Sequence, residues 1–447
     1  MFTIRNMNNK NDLTTGSISK KLILFTIPLL ISVICQQIYN LADSIIAGKL
    51  LGENSFAAIS NSYEITLVFL AVSVGSNIGC SVIFSQLFGA KKHSELKCAI
   101  STSFICGAVL CAVLTILGII FIPFMLSVIN TPDTIMDESA EYLVIYILGF
   151  SFMFFYNIAN GTFSSMGDSK TPLIFLICSS LLNIILDILM VGMGVSGIAW
   201  ATFISQMLAC VLSLATLFFR LKHLEGKSNG IFSSSLLKKI ASVAVPSILQ
   251  QSVISVGNIF LQGIINSYGT GVIAGYGAGV KLNNFTINTM TTLGNGVSAF
   301  TAQNIGAKKY DRVKAGFVTG LKIGACVTSV FMIAYLIFAE YLIGAFIDSP
   351  TEEAIKTGSV FLRILGPFYF CICIKLVSDG ILRGGGAMKY FLIATFTDLV
   401  IRVLLAYLLS SIFDSIGIWM SWPLGWIIGT VLSVYFNKKE KWKRELI

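Results

Sequence analysis

Apolar stretches long enough to cross a lipid bilayer recur along the whole sequence. A membrane-spanning helix requires about 20 mostly apolar residues, and such stretches follow one another from residue 21 to residue 436. Only 12% of the residues are charged, which is about half of the fraction typical of soluble proteins. The sequence therefore predicts an all-α polytopic membrane protein. It excludes a soluble enzyme, a nucleic-acid-binding protein and a disordered chain.

Twelve of these stretches can be distinguished, and each predicts one transmembrane helix. The first is too long for the apolar core of a signal peptide and has no convincing cleavage site, so we expect it to be retained. Several stretches exceed about 25 residues, which predicts helices that tilt, kink or extend beyond the bilayer. The predicted helices lie near residues 21–47, 56–88, 98–125, 138–166, 172–192, 197–219, 239–267, 272–305, 314–338, 358–386, 390–411 and 416–436.

Basic residues are concentrated in the loops after the even-numbered stretches and in the C-terminal tail. The alternate loops are nearly free of basic residues and contain acids such as Asp133, Asp137 and Glu138. Because basic loops stay in the cytoplasm, both termini are predicted to be cytoplasmic. The net charge of +9 results from this distribution, so we expect no nucleic-acid partner. The orienting residues are Lys91, Lys92, Lys97, Lys170, Arg220, Lys222, Lys227, Lys238, Lys239, Lys308, Lys309, Arg312, Lys389, Lys438, Lys439, Lys441, Lys443 and Arg444.

The sequence also contains an internal repeat with an offset of about 217–219 residues. SQLFGAKKH at 85–93 matches AQNIGAKKY at 302–310, and Pro28 matches Pro246. Each half contains six spans, and since six is even, both halves enter the membrane from the same side. This predicts two six-helix bundles related by a pseudo-two-fold axis along the membrane normal. Two parallel bundles suit alternating access around a central cavity, although a duplicated channel remains an alternative.

The repeat and the spans together predict the domain organisation. The predicted domains are a cytoplasmic N-terminal segment (1–20), an N-lobe (21–219), a cytoplasmic linker (220–238), a C-lobe (239–436) and a basic tail (437–447).

Ionisable residues within spans are costly and usually mark functional sites. Asp43 lies late in the first span, and Thr202 lies in the sixth. Asn183 and Asp187 lie four residues apart in the fifth span, on one face of the helix. If these helices converge, their oxygen atoms suit a hard cation such as Na⁺, while burial and a like-charged neighbour favour a bound proton. The alternative is that Asn183 and Asp187 only form hydrogen bonds to neighbouring helices.

The second half does not reproduce this cluster. Arg402 takes the repeat position of Asn183, and Ala406 that of Asp187. Asp398 and Arg402 are four residues apart and can pair with each other. We therefore expect the second half to contain a built-in positive charge where the first half must acquire a cation. An ordinary structural ion pair is the alternative.

The sequence indicates no enzyme and no cofactor. The ten cysteines lie in or beside apolar stretches, where packing is the expected role. We find no G-x-x-x-x-G-K-[ST] motif for ATP phosphates, no metal-ligand spacing and no catalytic triad. The only small ion that we expect is Na⁺ or H⁺ as a coupling ion.

Four motifs, taken in order on twelve spans, resemble the multidrug and toxic compound extrusion (MATE) family, and most closely its bacterial DinF-like branch. They are IYNLADSIIAG in the first span, SQLFGAKK after the second, NIILD in the fifth and GVSGIAWAT before the sixth. The resemblance covers residues 12–436. It implies a functional monomer in the bacterial inner (plasma) membrane, with two bundles around a cavity that opens alternately to each side. It also implies antiport, in which Na⁺ or H⁺ enters as an organic, often cationic, compound leaves.

The resemblance also assigns individual residues. A cation site is implied at Asp43, Asn183, Asp187 and Thr202, with Tyr142 joining the network and Ser205 replacing Thr202 if the register differs. A substrate cavity is implied at Gln36, Tyr39, Asn157 and Asn160, although each of these can equally be a contact between helices. Pro28 matches a proline at which the first helix bends during transport, or it is a passive kink.

One departure from the family pattern concerns a second cation site. Some relatives use an acid of the seventh span, where this sequence has Gln250 and Gln251. A C-lobe ion site is therefore not expected, and Asp379 is retained only as a cavity residue. The runner-up function is a flippase for lipid-linked oligosaccharides, against which twelve spans and an acidic first half argue. A channel or receptor is a third alternative.

Overall fold

The structure is a computed structural model that describes residues 12–46, 50–51, 53–346, 351–443 and 446–447. These residues form twelve long helical segments and no β-strand, which confirms the all-α, twelve-helix prediction. The segments are α1 (Ile18–Ile46), α2 (Glu53–Gly89), α3 (His93–Ile120), α4 (Asp133–Ser165), α5 (Lys170–Met190), α6 (Val195–His223), α7 (Ser234–Ile265), α8 (Thr270–Gly306), α9 (Tyr310–Phe346), α10 (Glu352–Gly384), α11 (388–412) and α12 (415–438).

Several irregularities interrupt or follow the helices. A short helix, Ile122–Val128, follows α3. A 3₁₀ turn at Gly366–Phe368 divides α10, because Pro367 provides no backbone N–H. A break at Phe413 and Asp414 separates α11 from α12, and Asp414 adopts a φ of 51° in the left-handed region that aspartate tolerates better than most residues.

Nine helical stretches of the described chain are long and apolar enough to cross a membrane. One of them, Met388–Lys438, contains both α11 and α12. α7 and α8 are not among the nine. In α8, glycine, threonine and asparagine recur along the helix and lower its hydropathy. Small and hydroxyl side chains allow close packing between helices, and α8 is accordingly buried along most of its length.

The chain forms two compact units. One contains Ile27–Ile248, and the other contains Leu13–Thr26 and Leu249–Leu446. α1 and α7 therefore each begin in one unit and end in the other. Both helices contain a proline within three residues of the transition, Pro28 in α1 and Pro246 in α7. A proline inside a helix removes one backbone hydrogen bond, so both helices are weakened where they change units.

The first unit is built around α4, which packs against α2, α3 and α6, while α5 packs on α6. The beginning of α7 joins this unit by close approach to α2. A Cβ atom added to Gly79 would lie 2.7 Å from the backbone nitrogen of Ala244, and one added to Gly75 would lie 2.6 Å from that of Ile248. Glycines four residues apart thus let the two backbones touch, as is common between membrane helices.

The second unit has an aromatic core. α10 packs against α8, α9, α11 and α12. The rings of Tyr276 and Trp419 stack with centroids 4.9 Å apart, and Phe361 meets Trp419 edge-on at 5.3 Å. Burial of such rings contributes strongly to packing, so α8, α10 and α12 are fixed against one another.

The internal repeat is visible in the turns that follow α2 and α8. Lys91 and Lys308, which are repeat partners, adopt φ values of 57° and 58°. The next residue of each turn, Lys92 or Lys309, donates its backbone N–H to the carbonyl oxygen five residues earlier, at 3.0 and 2.7 Å. The shared sequence G-A-K-K therefore encodes the same helix-ending turn in both halves.

The region around each of these turns holds the segment that precedes another helix. The region after α8 holds the segment before α1, and the region after α2 holds the segment before α7. In the second unit, Gln303 accepts a hydrogen bond from the backbone of Leu13 at 3.0 Å, and Arg312 donates to the Gly16 carbonyl oxygen at 2.8 Å. In the first unit, Lys97 donates to the carbonyl oxygens of Leu224 and Gly226, both at 2.7 Å. The segments before α1 and α7 are thus fixed by equivalent parts of the repeat.

Candidate functional site

Three of the predicted cation-site residues meet between α5 and α6. Asn183 and Asp187 lie one helical turn apart and are 1% and 0% exposed. The amide Nδ2 of Asn183 lies 3.5 Å from the hydroxyl oxygen of Thr202, to which it donates. Ser205 instead donates to the Ala201 carbonyl oxygen of its own helix at 2.7 Å. Thr202, rather than Ser205, is therefore the α6 hydroxyl that faces Asn183.

The surface of α5 shows why this pair is unusual. All residues of α5 are described, and apart from Pro172 only Asn183 and Asp187 are buried. Apolar residues such as Leu181 and Ile185 are exposed. A helix in a soluble protein buries its apolar face, whereas α5 turns its apolar face outward and its two polar residues inward. This arrangement suits a helix that borders lipid and presents a polar site to the protein interior.

In α5 and α6, basic residues occur only at the start of α5 and at the end of α6. Residues 171–219 contain no lysine and no arginine. A buried carboxylate requires hydrogen bonds, a proton or a cation to offset the loss of water. The amide and hydroxyl groups of Asn183 and Thr202 supply oxygen atoms of the kind that hard cations bind. The arrangement can therefore hold either a proton on Asp187 or a small cation.

Two further residues, Asp43 and Tyr142, are predicted to belong to the cation site. Asp43 lies outside the residues whose side chains the structure describes. Tyr142 lies on α4 and is half-buried, and its ring stacks on that of Tyr146 at a centroid distance of 6.3 Å. Its participation in the cation site stays a prediction.

The predicted cavity residues lie on α1 and α4. Gln36 is exposed, and Tyr39, Asn157 and Asn160 are half-buried. The amide of Asn157 donates to the Met153 carbonyl oxygen at 2.9 Å within its own helix. Their role in substrate binding stays a prediction.

The second unit contains a different cluster, in which carboxylates are held by a lysine. The ammonium of Lys375 lies 2.9 Å from Asp379 Oδ2 and 3.8 Å from Asp398 Oδ2. Ser433 donates to the other oxygen of Asp379 at 2.6 Å. Lys375, Asp379, Asp398 and Ser433 are all buried. Two carboxylates thus hold a cation that belongs to the chain itself, and a hydroxyl binds one of these carboxylates.

Arg402 does not form the expected ion pair. Among the described contacts, Asp398 pairs with Lys375, and the Arg402 guanidinium lies over the Trp422 ring at 4.4 Å. Lys375 reaches Asp398 from α10, while a guanidinium is attracted to the face of an indole ring. Direct contact between Asp398 and Arg402 is thus replaced by two separate contacts, although the two charges still interact electrostatically.

Close packing of α12 shapes this cluster. A Cβ atom added to Gly429 would lie 2.7 Å from Lys375 Cε, and one added to Gly425 would lie 2.7 Å from Asp398 Oδ1. The spacing of four between Lys375 and Asp379 could have predicted their pairing. Ser433 and Gly429 carry no such local signal, because their contacts join helices far apart in the sequence.

Comparison with known proteins finds a match in each half of the chain. The family model MatE matches residues 28–189 and again residues 246–408. The "Probable multidrug resistance protein YoeA" of Bacillus subtilis (strain 168) is 27% identical, and the match covers 96% of each chain. The "FAD transporter" of Shewanella oneidensis is 23% identical, with 97% of each chain covered.

A solved structure shares the fold. It is an outward-facing conformation of a multidrug resistance MATE family transporter of the MOP superfamily, with a TM-score of 0.89 and 22% identity over 96% of this chain and 97% of the other. The family match covers most of the chain, both halves of the repeat are matched, and the twelve-helix architecture agrees. The chain therefore belongs to the MatE family of membrane transporters.

Proposed function

We propose that the protein is a cation-coupled antiporter that exports organic, often cationic, compounds from the bacterial cytoplasm by alternating access. Coupling to Na⁺ or H⁺ takes place in the first half of the chain. Family membership supports export as the general activity, and the twelve-helix fold makes the flippase alternative less favourable. The DinF-like branch stays a prediction.

The observation that most directly supports the coupling site is the inward-facing polar pair of α5. Asn183 and Asp187 are buried on a helix whose apolar residues are exposed. A carboxylate inside a membrane helix is costly and is usually retained for transport or ion binding. Since Thr202 lies beside Asn183, an incoming ion meets carboxylate, amide and hydroxyl groups together.

The coupling follows from competition between ion and substrate. Binding of a cation at Asp43 and Asp187 neutralises two carboxylates and favours the state that releases the compound outward. Binding of the compound from the cytoplasm or the inner leaflet favours release of the cation inside. Such linkage requires that the two ligands prefer opposite states or exclude each other.

The charged residues of the second half support the proposal that ion coupling takes place only in the first half. Asp379 and Asp398 are already held by the ammonium of Lys375. Arg383 also interacts electrostatically with Asp379, and Arg402 with Asp398, so these carboxylates have no need of an external ion. α7, moreover, contains Gln250 and Gln251 but no acid. The chain therefore provides its own cation in the second half and acquires one in the first.

The distribution of charge supports an orientation with both termini in the cytoplasm. The turns after α2 and α8, the segment between α6 and α7 and the tail after α12 contain most of the basic residues. Basic segments of this length remain on the cytoplasmic side. The relatives come from bacteria, which supports a location in the bacterial plasma membrane.

The test is substrate flux in proteoliposomes with an imposed Na⁺ or H⁺ gradient, each varied independently. We expect gradient-driven export by the wild type and its loss in the double variant Asp43→Asn/Asp187→Asn. The matched control is Asp311→Asn, which alters an exposed acid at the start of α9. Driven transport that survives in the double variant would refute the assignment of the coupling site.

The same vesicles address the substrate class. The name of the Shewanella relative denotes transport of FAD, which is an anion, whereas the proposed substrates are mainly cationic. Parallel assays with a lipophilic cationic dye and with FAD separate the two classes. We expect gradient-driven export of the dye, and export of FAD alone would contradict the proposal.

A further inference from the structure

A pocket of about 430 Å³ lies in the first unit, between the beginning of α3 and the end of α6. Residues of the segment between α6 and α7, including Ser228 and Ile231, form its third wall. Phe218, which lines the pocket, is 16 residues from Thr202 along α6, or about 24 Å at 1.5 Å per residue. The pocket is therefore separate from the proposed cation site.

One end of the pocket is basic. Lys97 and Lys222 contribute to its lining, and none of the lining residues is acidic. The ammonium of Lys97 donates to the carbonyl oxygens of Leu224 and Gly226. An ammonium has three N–H donors, so one remains for a ligand. Lys222 is exposed at the last turn of α6.

The other end of the pocket is apolar and continuous with the outer surface of the helices. Phe104 and Phe218 line it, with ring centroids 6.1 Å apart. Ile105 and Phe218 are 41% and 58% exposed. Val109 and Val211, farther along the same two helices, are also exposed. Charge at the helix ends thus gives way to apolar surface toward the middle of the spans.

We propose that this pocket binds an anionic phospholipid of the cytoplasmic leaflet. The phosphate lies between Lys97 and Lys222, and the first part of an acyl chain lies along Phe104, Ile105 and Phe218. The volume accommodates the headgroup and the beginning of one chain, and the remainder of the lipid stays in the bilayer. A soluble phosphate compound would leave the aromatic surface unused. This inference rests on the orientation proposed above, which places the basic end at the cytoplasmic surface.

The bound lipid holds the segment between α6 and α7 in place. This segment is fixed to α3 by Lys97 and by a hydrogen bond of 3.0 Å from the Ser233 backbone to the hydroxyl of Thr102. The next residue, Ser234, begins α7. A phosphate bound to Lys97 and Lys222 connects α3 to α6 and covers Ser228 of the same segment. Lipid binding therefore stabilises the docking of the start of α7 on the first unit.

The test is native mass spectrometry of the full-length protein released from detergent, titrated with phosphatidylglycerol or with phosphatidylcholine. We expect tight adducts with phosphatidylglycerol only. One lysine near anionic lipid contributes about 1 kcal/mol, or about fivefold in affinity, so Lys222→Ala weakens binding about fivefold and Lys222→Glu at least roughly tenfold. Lys389→Glu, which reverses an exposed lysine at the start of α11, leaves binding unchanged.

A second variant tests the pocket without altering its charge. Ser101 lies in the lining, and Ser101→Trp fills the cavity while both lysines remain. We expect loss of the phosphatidylglycerol adduct in this variant as well. Wild-type binding in both Lys222→Glu and Ser101→Trp would overturn the proposal, and so would equal competition by inorganic phosphate, which would indicate a site for free anions. Neither result bears on cation-coupled transport, because the measurement contains no transport step.

Discussion

The lysine-held carboxylates of the second unit provide the sharpest test of the electrostatic argument. We expect Lys375→Met to lower the free energy of unfolding by about 3–5 kcal/mol, the usual cost of removing one partner from a buried ion pair. Methionine occupies a similar volume, so packing against Gly429 is retained. The loss then reports on charge rather than on a cavity.

The expected loss of stability can be estimated from the distances between Lys375 and the two carboxylates. With an effective dielectric constant of about 20, the Coulomb attraction is roughly 6 kcal/mol at the 2.9 Å between Lys375 and Asp379, and roughly 4 kcal/mol at the 3.8 Å to Asp398. The cost of withdrawing the three charges from water offsets much of this attraction. Without the ammonium, two buried carboxylates remain, with a hydrogen bond from the Ser433 hydroxyl to Asp379 and the more distant charges of Arg383 and Arg402.

The assay is chemical unfolding in detergent, followed by tryptophan fluorescence. Trp419, Trp422 and Trp426 belong to the same unit as Lys375 and report on it. The control Lys389→Met removes an exposed lysine and should have no effect. The double variant Lys375→Met/Asp379→Asn removes one carboxylate together with the ammonium, so it should recover most of the lost stability.

The stability of Lys375→Met should also depend on Na⁺ concentration and pH in a way that the stability of the wild type does not. Once the ammonium is gone, Na⁺ or a proton can take its place beside Asp379 and Asp398. At a Na⁺ concentration ten times the dissociation constant, the stabilisation amounts to about 1.4 kcal/mol. If Lys375→Met unfolds like the wild type, or if Na⁺ and low pH stabilise both proteins equally, then Lys375 does not serve as the cation of this cluster.

Two further predictions concern the ends of the helices. Asp168 accepts hydrogen bonds from the Arg220 guanidinium and, at 2.6 Å, from the Thr171 hydroxyl. Asp168→Ala should therefore lower the free energy of unfolding by about 2 kcal/mol. An unchanged free energy of unfolding would show that these bonds do not stabilise the protein. Glu440 lies outside the spans, and hydrogen bonds from Lys314 and Lys443 lower its pKa. A carboxyl group whose pKa is lowered by folding stabilises the protein above its ordinary pKa of about 4.3, and this stabilisation is lost as pH falls through the lower folded value. The thermal midpoint of the wild type should therefore fall below about pH 4, and Glu440→Gln should make this fall smaller. The difference should be largest at low salt. Identical dependence of the two midpoints on pH would contradict this prediction.

The sequence predicted the number and approximate positions of the helices because spanning the bilayer imposes long apolar stretches. It predicted the beginning of α10 at 358, whereas the helix begins at Glu352. The missing turns contain Glu352, Glu353 and Lys356, and the Thr351 hydroxyl caps them by accepting the Ala354 backbone N–H at 3.2 Å. Hydropathy detects only the part of a helix that lies in lipid, so it misses capped, polar extensions such as this one.

The two clusters differ in how well the sequence predicts them. Asn183 and Asp187 share a helix face by spacing alone, and the family resemblance indicated Thr202 as their partner. Ser433 meets Asp379 across 54 residues, and no local pattern encodes that contact. Glu64 and Lys281, which also lie in predicted spans, prove to be exposed. The presence of a charge within a span therefore does not by itself indicate that the side chain is buried.

The repeat shows which features of the two halves depend on geometry and which depend on chemistry. Lys91 and Lys308 have the same left-handed backbone, and Pro28 and Pro246 occupy equivalent places near the transitions between units. These residues recur because the same backbone path requires them in each half. The charged residues have no such constraint, since any inward position on the same scaffold can hold an acid, a base or neither. A duplicated fold can therefore retain an oxygen-rich site in one half and fill the other with its own lysine without any change in the path of the chain.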